Sequence, residues 1–351
     1  MSVDFQRDIY CLFGLPIDNL TREQTIALLR SKAKKKQSIV WSTVNVNWVV
    51  QAFGDDEFRT AILNSDIVTL DGKPLLWLAK GLKYPMRETV PGSTLIQLLL
   101  EKDPNNPMTI FLFGGEEGAA ELAMNKINQY PCGLEAVGAL NPGFGSIEEM
   151  STDAIINTIN KTRPDILLVA LGAKKGTQWI EYNRHRLKAG IISHLGATIN
   201  FLAGTVQRAP RLFRSFGMEW IWRIFQEPKL FFRYARDGFF LTSYIIIRIP
   251  AWLNYRRYRP NDIENMDEII LKRKKAIIFG RYVNVPLNST LRQQLFENLQ
   301  KKQNLYIDCS RTLWIDGRFA ALALLTHHQM KKTGQELTMD DNGKKLLRIY
   351  N

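Results

Sequence analysis

Cysteine and histidine are scarce in this chain. Its 351 residues include three Cys and four His. The three cysteines, Cys11, Cys132 and Cys309, lie far apart in the sequence and match no metal-ligand spacing. Their odd number also argues against a disulfide framework. We therefore expect a reducing cytoplasmic environment and no metal site. His194, alone in an apolar strand, is expected in the core.

Common catalytic signatures are also missing. The sequence contains no GxSxG, no HExxH and no Asp-x-Asp pair that would hold a divalent cation on a nucleotide-sugar. Carboxylates remain as catalysts, with Arg and Lys as charge stabilisers. That combination suits a transfer reaction in which a hydroxyl loses its proton and a phosphate leaves.

No apolar run is long enough to span a bilayer. The longest run in the C-terminal part, residues 238–247, is about half the length that a spanning helix needs. Near the start, Asp4, Arg7 and Asp8 interrupt the apolar core that a signal peptide requires. We expect a chain that lies on a membrane without crossing it.

Acidic residues are too few to balance the basic ones, which leaves a net charge of +13. Residues 205–260 hold 11 Lys and Arg against 3 Asp and Glu, and they include Trp220 and Trp222. A basic, Trp-rich amphipathic segment indicates an anionic membrane surface or an anionic ligand. The alternative is a helix with one buried and one solvated face. Nucleic acid is not expected, because no motif for it appears.

Short apolar strands alternate with amphipathic helices through the first two hundred residues. This alternation is typical of a parallel sheet covered on both faces. We predict an α/β fold with a Rossmann-like, mostly parallel sheet. The predicted strands are 38–43, 66–70, 108–113, 134–139, 165–171 and 191–194. A helix is predicted over 18–35, with Thr21 and Gln24 at capping-box spacing.

Polar residues and glycines gather where these strands should end, which is the edge where open α/β sheets bind ligands. Each has a structural alternative as a turn or capping residue, and Gly114-Gly115 has no complete nucleotide motif around it. The candidates are Thr43, Asn45, Asp71, Gly72, Gly114, Gly115, Gly172 and Lys175.

A series of short motifs runs through the chain over roughly residues 10–245. The motifs are Thr43-x-Asn45, Asp66-x-Val68-x-x-Asp71-Gly72, Gly92-Ser93, Gly114-Gly115, Pro164-Asp165, Gly172, Gly196, Gly204, Arg208-Ala209-Pro210, Gly217-x-Glu219-Trp220-x-x-Arg223, Glu227-Pro228 and Arg233-Tyr234. Their kind and order resemble the WecG/TagA/CpsF glycosyltransferases (glycosyltransferase family 26).

The resemblance implies a metal-independent, inverting glycosyltransferase with no cofactor. It would move a sugar from a nucleotide-sugar, UDP-linked in our interpretation, to a polyprenyl-diphosphate-linked acceptor at the cytoplasmic face of the bacterial membrane. By position, Asp71 resembles the catalytic base. The substrate-binding residues would be Thr43, Asn45, Gly72, Gly92, Gly114, Gly115, Gly172, Lys175, Arg208, Arg223 and Arg233, with Arg214 as an alternative to Arg233.

Some positions depart from the family pattern. Many relatives carry Gly-x-Pro-Lys-Gln-Glu where this chain has Gly172-Ala173-Lys174-Lys175-Gly176-Thr177. Asn200 stands where Asp is common, and Thr89 where Arg is common. Donor identity therefore stays open among hexose, uronic acid and N-acetylhexosamine in cell-surface polysaccharide assembly.

Residues 305–317 resemble the strand and turn of a STAS domain, the fold of anti-sigma-factor antagonists. Gly317 and Arg318 replace the phosphoacceptor hydroxyls. This resemblance implies a docking role toward a protein partner, and the alternative is a generic βα addition.

The predicted domains are a glycosyltransferase core at 1–204, a basic appendage at 205–260 and a STAS-like domain at 268–351. Two other functions stay open: a membrane-bound scaffold that has lost catalysis, and a nucleotide sensor that binds without turnover.

Overall fold

The computed structural model describes residues 6–35, 37–210, 212–213, 216–260, 271–273, 276–286 and 289–350. The chain forms two compact units. The larger comprises Leu20–Leu78 and Met86–Gly238, and the smaller comprises Met1–Asn19, Ala79–Pro85 and Phe239–Asn351. Within the described ranges, no helix combines the length and apolar character needed to span a bilayer.

The strands are short and largely buried. In chain order they are β1 Ile9–Leu12, β2 Leu15–Asp18, β3 Ile39–Val44, β4 Ile67–Leu70, β5 Met108–Gly114, β6 Leu134–Leu140, β7 Ile166–Ala170, β8 Ile191–His194, β9 Leu271–Arg273, β10 Ala276–Ile278, β11 Tyr282–Val283, β12 Leu305–Asp308, β13 Trp314–Ile315 and β14 Leu337–Met339.

The helices alternate with these strands. They are α1 Arg22–Lys34, α2 Val46–Gly54, α3 Asp56–Leu63, α4 Lys73–Gly81, α5 Gly92–Leu100, α6 Ala119–Asn128, α7 Asp153–Thr162, α8 Ala173–Asn183, α9 Thr198–Ala203, α10 Glu219–Gln226, α11 Leu230–Tyr258, α12 Thr290–Gln300, α13 Gly317–Lys332 and α14 Asp341–Leu347.

The larger unit is built on a six-stranded sheet in the order β4-β3-β8-β7-β5-β6. Every pair in it is parallel. Successive side chains of a strand point to opposite faces of the sheet, so the apolar strands feed two cores. Ile110 and Leu112 belong to the core on one face, and Phe111 and Phe113 belong to the other. The predicted α/β fold with a mostly parallel sheet is confirmed.

The predicted capping box at the first helix is also present. The Thr21 hydroxyl accepts a hydrogen bond from the Gln24 backbone N–H at 3.2 Å, and the Gln24 side chain accepts one from the Thr21 N–H at 2.9 Å. These two bonds satisfy donors that a helix start otherwise leaves open. Helix α1 begins at Arg22, four residues later than the predicted start at residue 18.

The smaller unit combines both ends of the chain. Its described strands form a mixed sheet in the order β14-β12-β10-β9 and a parallel pair of β11 with β13. An antiparallel hairpin, β1 with β2, packs against α13. The predictions from sequence did not include this hairpin.

Helix α11 is long and contains Pro250. It continues to Tyr258, so residues 256–258, near the end of the predicted basic appendage, are helical. Residues 261–267, between that appendage and the predicted C-terminal domain, lie outside the described residues.

Candidate active site

The carboxyl ends of the parallel strands define one edge of the large sheet. β3, β4, β5 and β7 run in the same direction, so the residues that follow them emerge at this edge. Asn45 follows β3, Asp71 follows β4, Gly115 follows β5 and Gly172 follows β7. The sheet therefore brings to one edge the residues that the sequence pattern selected at strand ends.

Asp71 is held directly against this edge. Its backbone N–H donates to the Val44 carbonyl oxygen at 2.7 Å, which continues the β3–β4 ladder by one residue. Burial of the carboxyl is the main cause that raises its pKa to about 7, and the Glu219 carboxylate adds to the rise. The Arg208 guanidinium acts in the opposite direction. Asp71 can therefore both accept and release a proton near neutral pH.

Glu219 reaches Asp71 through a tight turn before α10. Gly217 has a φ of +71°, and a Cβ there would lie 2.6 Å from Cβ of Lys73 in the first turn of α4. Only glycine allows this close approach at low cost. α10 begins two residues later with Glu219, and this start places the Glu219 charge within electrostatic reach of the partly buried Asp71 carboxyl.

Arg208 is fixed by the first turns of α5. Its guanidinium donates to the Thr94 hydroxyl at 2.6 Å, to the Ser93 hydroxyl at 3.4 Å and to the Gln97 side chain. These hydrogen bonds hold the guanidinium in one orientation, within electrostatic reach of the Asp71 carboxyl. A guanidinium fixed near a carboxyl base is suited to stabilise the charge of a leaving phosphate.

Arg223 and Arg233 sit on α10 and α11. The Arg223 guanidinium donates to the Glu227 carboxylate at 3.0 Å and lies 5.9 Å from the ring centre of Phe201. The Arg233 guanidinium lies 4.9 Å from the ring centre of Tyr234. In both arginines Nε is buried and has no hydrogen-bond partner among the described residues. Arg214, the alternative to Arg233, lies outside the described residues.

Helix α10 is tied to the segment that carries Arg208. The Trp222 indole N–H and the Gln226 amide both donate to the Gln207 carbonyl oxygen, at 3.2 Å and 3.0 Å. Two donors on successive turns of α10 thus converge on the residue that precedes Arg208. This anchoring connects the position of Arg208 to that of α10.

Thr43 and Asn45 also have structural roles. Thr43 is buried within β3. The Asn45 side chain accepts a hydrogen bond from the Trp48 N–H at 3.1 Å, so it caps α2. Gly72, with a φ of +97°, allows the chain to turn from Asp71 into α4. Contact of these three residues with a substrate stays a prediction.

The glycines after β5 adopt backbone conformations that disfavour other residues. Gly114 and Gly115 have φ of +92° and +91°. The Gly115 N–H donates to the Ala170 carbonyl oxygen at 2.9 Å, and the Glu116 N–H reaches the Asn200 side chain at 3.4 Å. Both N–H groups thus have protein partners.

Gly92 lies in the first turn of α5, directly before the residues that hold Arg208. A Cβ at Gly92 would lie 2.2 Å from the Leu195 side chain. Glycine at this position therefore serves the close packing of α5 against the segment that follows β8.

The lysines near the start of α8 are engaged with neighbouring loops. Gly172 caps the helix with a φ of +79°. Lys174 forms an ion pair with Asp55 at 2.7 Å, and Lys175 donates to the Gly145 carbonyl oxygen at 2.9 Å. His194 is buried in the core, as expected, and burial lowers its pKa to about 4.

Sequence reasoning missed Glu219 as a member of the site, and it missed Ser93, Thr94 and Gln97 as the residues that orient Arg208. Glu219 stands within one of the motifs that carry the family resemblance. A carboxylate in such a motif was the signal that could have identified it as a site residue. No group of three or more His, Cys, Asp or Glu that could hold a metal ion occurs in the described part of the chain.

Comparisons with known proteins agree with the family resemblance of the sequence motifs. A family model described as "Glycosyl transferase WecG/TagA/CpsF family" matches residues 10–253. An N-acetylglucosaminyldiphosphoundecaprenol N-acetyl-beta-D-mannosaminyltransferase from Staphylococcus aureus strain MW2 is 24% identical over 221 residues, which are 62% of this chain and 85% of that protein. A protein of the same name from strain COL is 24% identical over 215 residues, 60% of this chain and 82% of its own length.

Proposed function

Because the chain belongs to the WecG/TagA/CpsF glycosyltransferase family, we propose that it transfers a sugar from a nucleotide-sugar, UDP-linked, to a polyprenyl-diphosphate-linked acceptor. The names of its relatives, which specify a diphosphoundecaprenol acceptor, support the acceptor class. The observation that carries the proposal is the Asp71 carboxyl, held at a strand end with a pKa of about 7 beside Arg208.

In the proposed reaction Asp71 is the general base. Its carboxylate takes the proton of an acceptor hydroxyl, and the hydroxyl oxygen forms a bond to the anomeric carbon of the donor sugar. The bond between that carbon and the diphosphate oxygen breaks on the opposite side, so the anomeric configuration inverts. A base works best when its pKa lies near the working pH, and the environment of Asp71 meets this condition.

Arg208 is proposed to stabilise the departing nucleoside diphosphate. Its hydrogen bonds to the Ser93 and Thr94 hydroxyls and to the Gln97 side chain hold the guanidinium in a fixed orientation. A preoriented cation contributes to catalysis because it needs no reorganisation when charge develops. Arg223 and Arg233 are proposed as further phosphate ligands, since each has a buried Nε without a partner in the described residues.

The lipid acceptor suggests a membrane surface close to this site. Large apolar side chains are exposed around α10 and the start of α11: the exposed fraction is 76% for Phe225, 54% for Phe231 and 79% for Phe232. Basic residues lie in the same part of the sequence. Exposed aromatic rings together with cations are the features that hold a protein on an anionic bilayer. We propose peripheral attachment at the cytoplasmic membrane face through this segment.

The test is an assay of the purified protein with a panel of UDP- and GDP-sugars and a polyprenyl-diphosphate-sugar acceptor in detergent, with EDTA present. Turnover of one donor that persists in EDTA supports a metal-independent transferase and identifies its sugar. Saturable donor binding without turnover indicates a sensor, and neither binding nor turnover indicates a scaffold. The STAS-like character of residues 268–351 stays a prediction, with a protein partner proposed for it.

A further inference from the structure

The smaller unit contains a basic cavity that plays no part in the proposed reaction. Its volume is about 150 Å³, and its lining residues are Gly81, Lys83, Tyr255, Arg256, Arg259 and Pro260. A cavity of roughly 10–15 Å³ is enough to hold one water molecule, so this cavity admits a group as large as a phosphate. None of the lining residues belongs to the unit that carries Asp71.

The described residues give the cavity a positive charge. Among them, Lys83, Arg256 and Arg259 are the ionisable lining residues besides Tyr255. None of the three cations forms an ion pair with a carboxylate within the described residues. Arg256 instead lies 4.8 Å from the ring centre of Trp252. Cations gathered without a counter-charge repel one another, so an anion in their midst is stabilised.

Arg259 gives a second, independent indication. Its Nε is buried and has no hydrogen-bond partner in the described part of the chain. A buried donor without an acceptor is costly, and native structures rarely keep one without a reason. An acceptor oxygen supplied by a ligand would remove that cost.

The walls of the cavity are preorganised by neighbouring hydrogen bonds. The Trp252 indole N–H donates to the Gly81 carbonyl oxygen at 3.4 Å, and the Tyr255 hydroxyl donates to the Leu82 carbonyl oxygen at 3.2 Å. These bonds link α11 to the segment after α4 and bring Lys83 to the two arginines. The carbonyl oxygens of Gly81 and Leu82 thereby each accept a hydrogen bond.

Helix-dipole compensation explains only part of this arrangement. Basic residues are favoured in the last turn of a helix, which accounts for Arg256 and Arg257 at the end of α11. It does not account for Lys83, which comes from another segment, or for the unpaired Nε of Arg259.

We infer that this cavity, which we call the Arg259 pocket, binds a phosphate group. Planar guanidinium groups match phosphate oxygens through paired hydrogen bonds, and Lys83 adds a point charge. Three cations suit a phosphate monoester or diphosphate, which carries close to two negative charges near neutral pH. The phosphate is borne either by a membrane lipid or by a soluble molecule.

The test compares two single variants with a matched control in the full-length protein. Arg259→Gln and Lys83→Gln each remove a charge from the pocket. Arg257→Gln removes the same charge from the same helix end, where Arg257 lies outside the lining and over Tyr258. One arm titrates pyrophosphate by calorimetry, and the other measures sedimentation with phosphatidylcholine vesicles with and without phosphatidic acid.

We expect pocket variants to weaken binding by about tenfold or more relative to Arg257→Gln, the usual effect of losing a charge-assisted hydrogen bond. Loss in the pyrophosphate arm indicates a soluble ligand, and loss in the vesicle arm alone indicates a lipid headgroup. Equal effects of all three variants in both arms, or no saturable binding of either probe, would overturn the inference. If Arg259→Gln does not fold, Lys83→Gln still provides the test, because the Lys83 side chain is exposed and its replacement disturbs no core packing. Neither arm depends on sugar transfer.

Discussion

At the scale of single residues, the environment of Asp71 decides its chemistry. An aspartate with its ordinary pKa near 4 is a weak base at neutral pH. Burial and the Glu219 carboxylate move the pKa of Asp71 to about 7, and Arg208 limits the rise. The three residues come from the end of β4, the segment before α10 and α10 itself. The arrangement of these three residues therefore sets the pKa of the Asp71 carboxyl.

The pH dependence of transfer follows from this tuning. Because the ionised Asp71 is the proposed base, kcat/KM should rise with pH and level off above about 7. In Glu219→Gln the negative charge that raises the pKa of Asp71 is removed, so the rising limb should move to lower pH. The measurement is kcat/KM against pH for both proteins.

Glu227→Gln is the matched control for this shift. Glu227 lies eight residues further along, pairs with Arg223 and is not among the groups that perturb Asp71. Its pH profile should keep the wild-type midpoint. Coincident midpoints for all three proteins would mean that Glu219 does not act on the catalytic group.

The candidate base could be predicted from sequence, but its neighbours could not. Asp71 follows an apolar strand, and the ends of parallel strands share one edge of a sheet. Glu219 and the α5 residues that hold Arg208 meet this edge only through the turn at Gly217 and the packing of α5. No local pattern encodes such long-range approaches.

At the scale of elements, the turn after β5 shows how closely the strand ends pack. A Cβ on Gly114 would lie 2.6 Å from the Ala170 carbonyl oxygen, and φ there is +92°. Both the backbone conformation and the neighbouring strand thus require glycine. A turn built this way holds the edge of the sheet in one geometry.

Gly114→Ala should lower the free energy of unfolding by more than the roughly 1–2 kcal/mol that a left-handed conformation costs an alanine. Gly118→Ala separates the two causes. Gly118 also has a positive φ, +72°, but a Cβ added there would meet no atom of the described residues within 4 Å. Urea unfolding of both variants gives the comparison, and equal losses would contradict the steric part of the argument.

The aromatic side chains at the start of α11 carry the membrane proposal. Changing both Phe231 and Phe232 to Ser should weaken binding to anionic vesicles roughly tenfold or more, because each ring contributes apolar area. Binding should also fall with added salt. Phe144→Ser is the control, because Phe144 is fully exposed but lies in a loop outside the basic segment. Equal vesicle binding by the two variants would contradict the proposal.

Most elements of the larger unit followed from periodicity, because short apolar strands that alternate with amphipathic helices leave a clear pattern. The hairpin β1–β2 did not. Its strands have four residues each, and Pro16 and Asp18 interrupt the apolar pattern of the second strand. Their partner α13 lies about three hundred residues away in the sequence.

At the scale of the whole molecule, residues near the start of the chain pack in the same unit as its C-terminal region. The Asp8 carboxylate pairs with Arg318 at 2.8 Å, and the Tyr10 ring lies 4.9 Å from the same guanidinium. The Arg292 guanidinium donates to the Arg7 carbonyl oxygen at 2.8 Å. The hairpin packs against α13, and the residues directly before it supply polar partners to Arg292 and Arg318.

Residues 268–351 expressed alone should consequently be protease-sensitive. In the full-length chain the same region should resist cleavage. Limited proteolysis with mass spectrometry of the fragments measures the difference. A protease-resistant, cooperatively unfolding 268–351 fragment would show that the hairpin is dispensable for this unit.

The most direct test of the central claim is the transfer rate of Asp71→Asn with a donor that the wild type turns over. Loss of a general base predicts a fall of about 10²–10⁴-fold in kcat. A raised pKa means that ionised Asp71 costs folding energy above pH 7, so the variant should unfold at or above the wild-type temperature at pH 8. A folded Asp71→Asn protein with near-wild-type turnover would show that Asp71 is not the base.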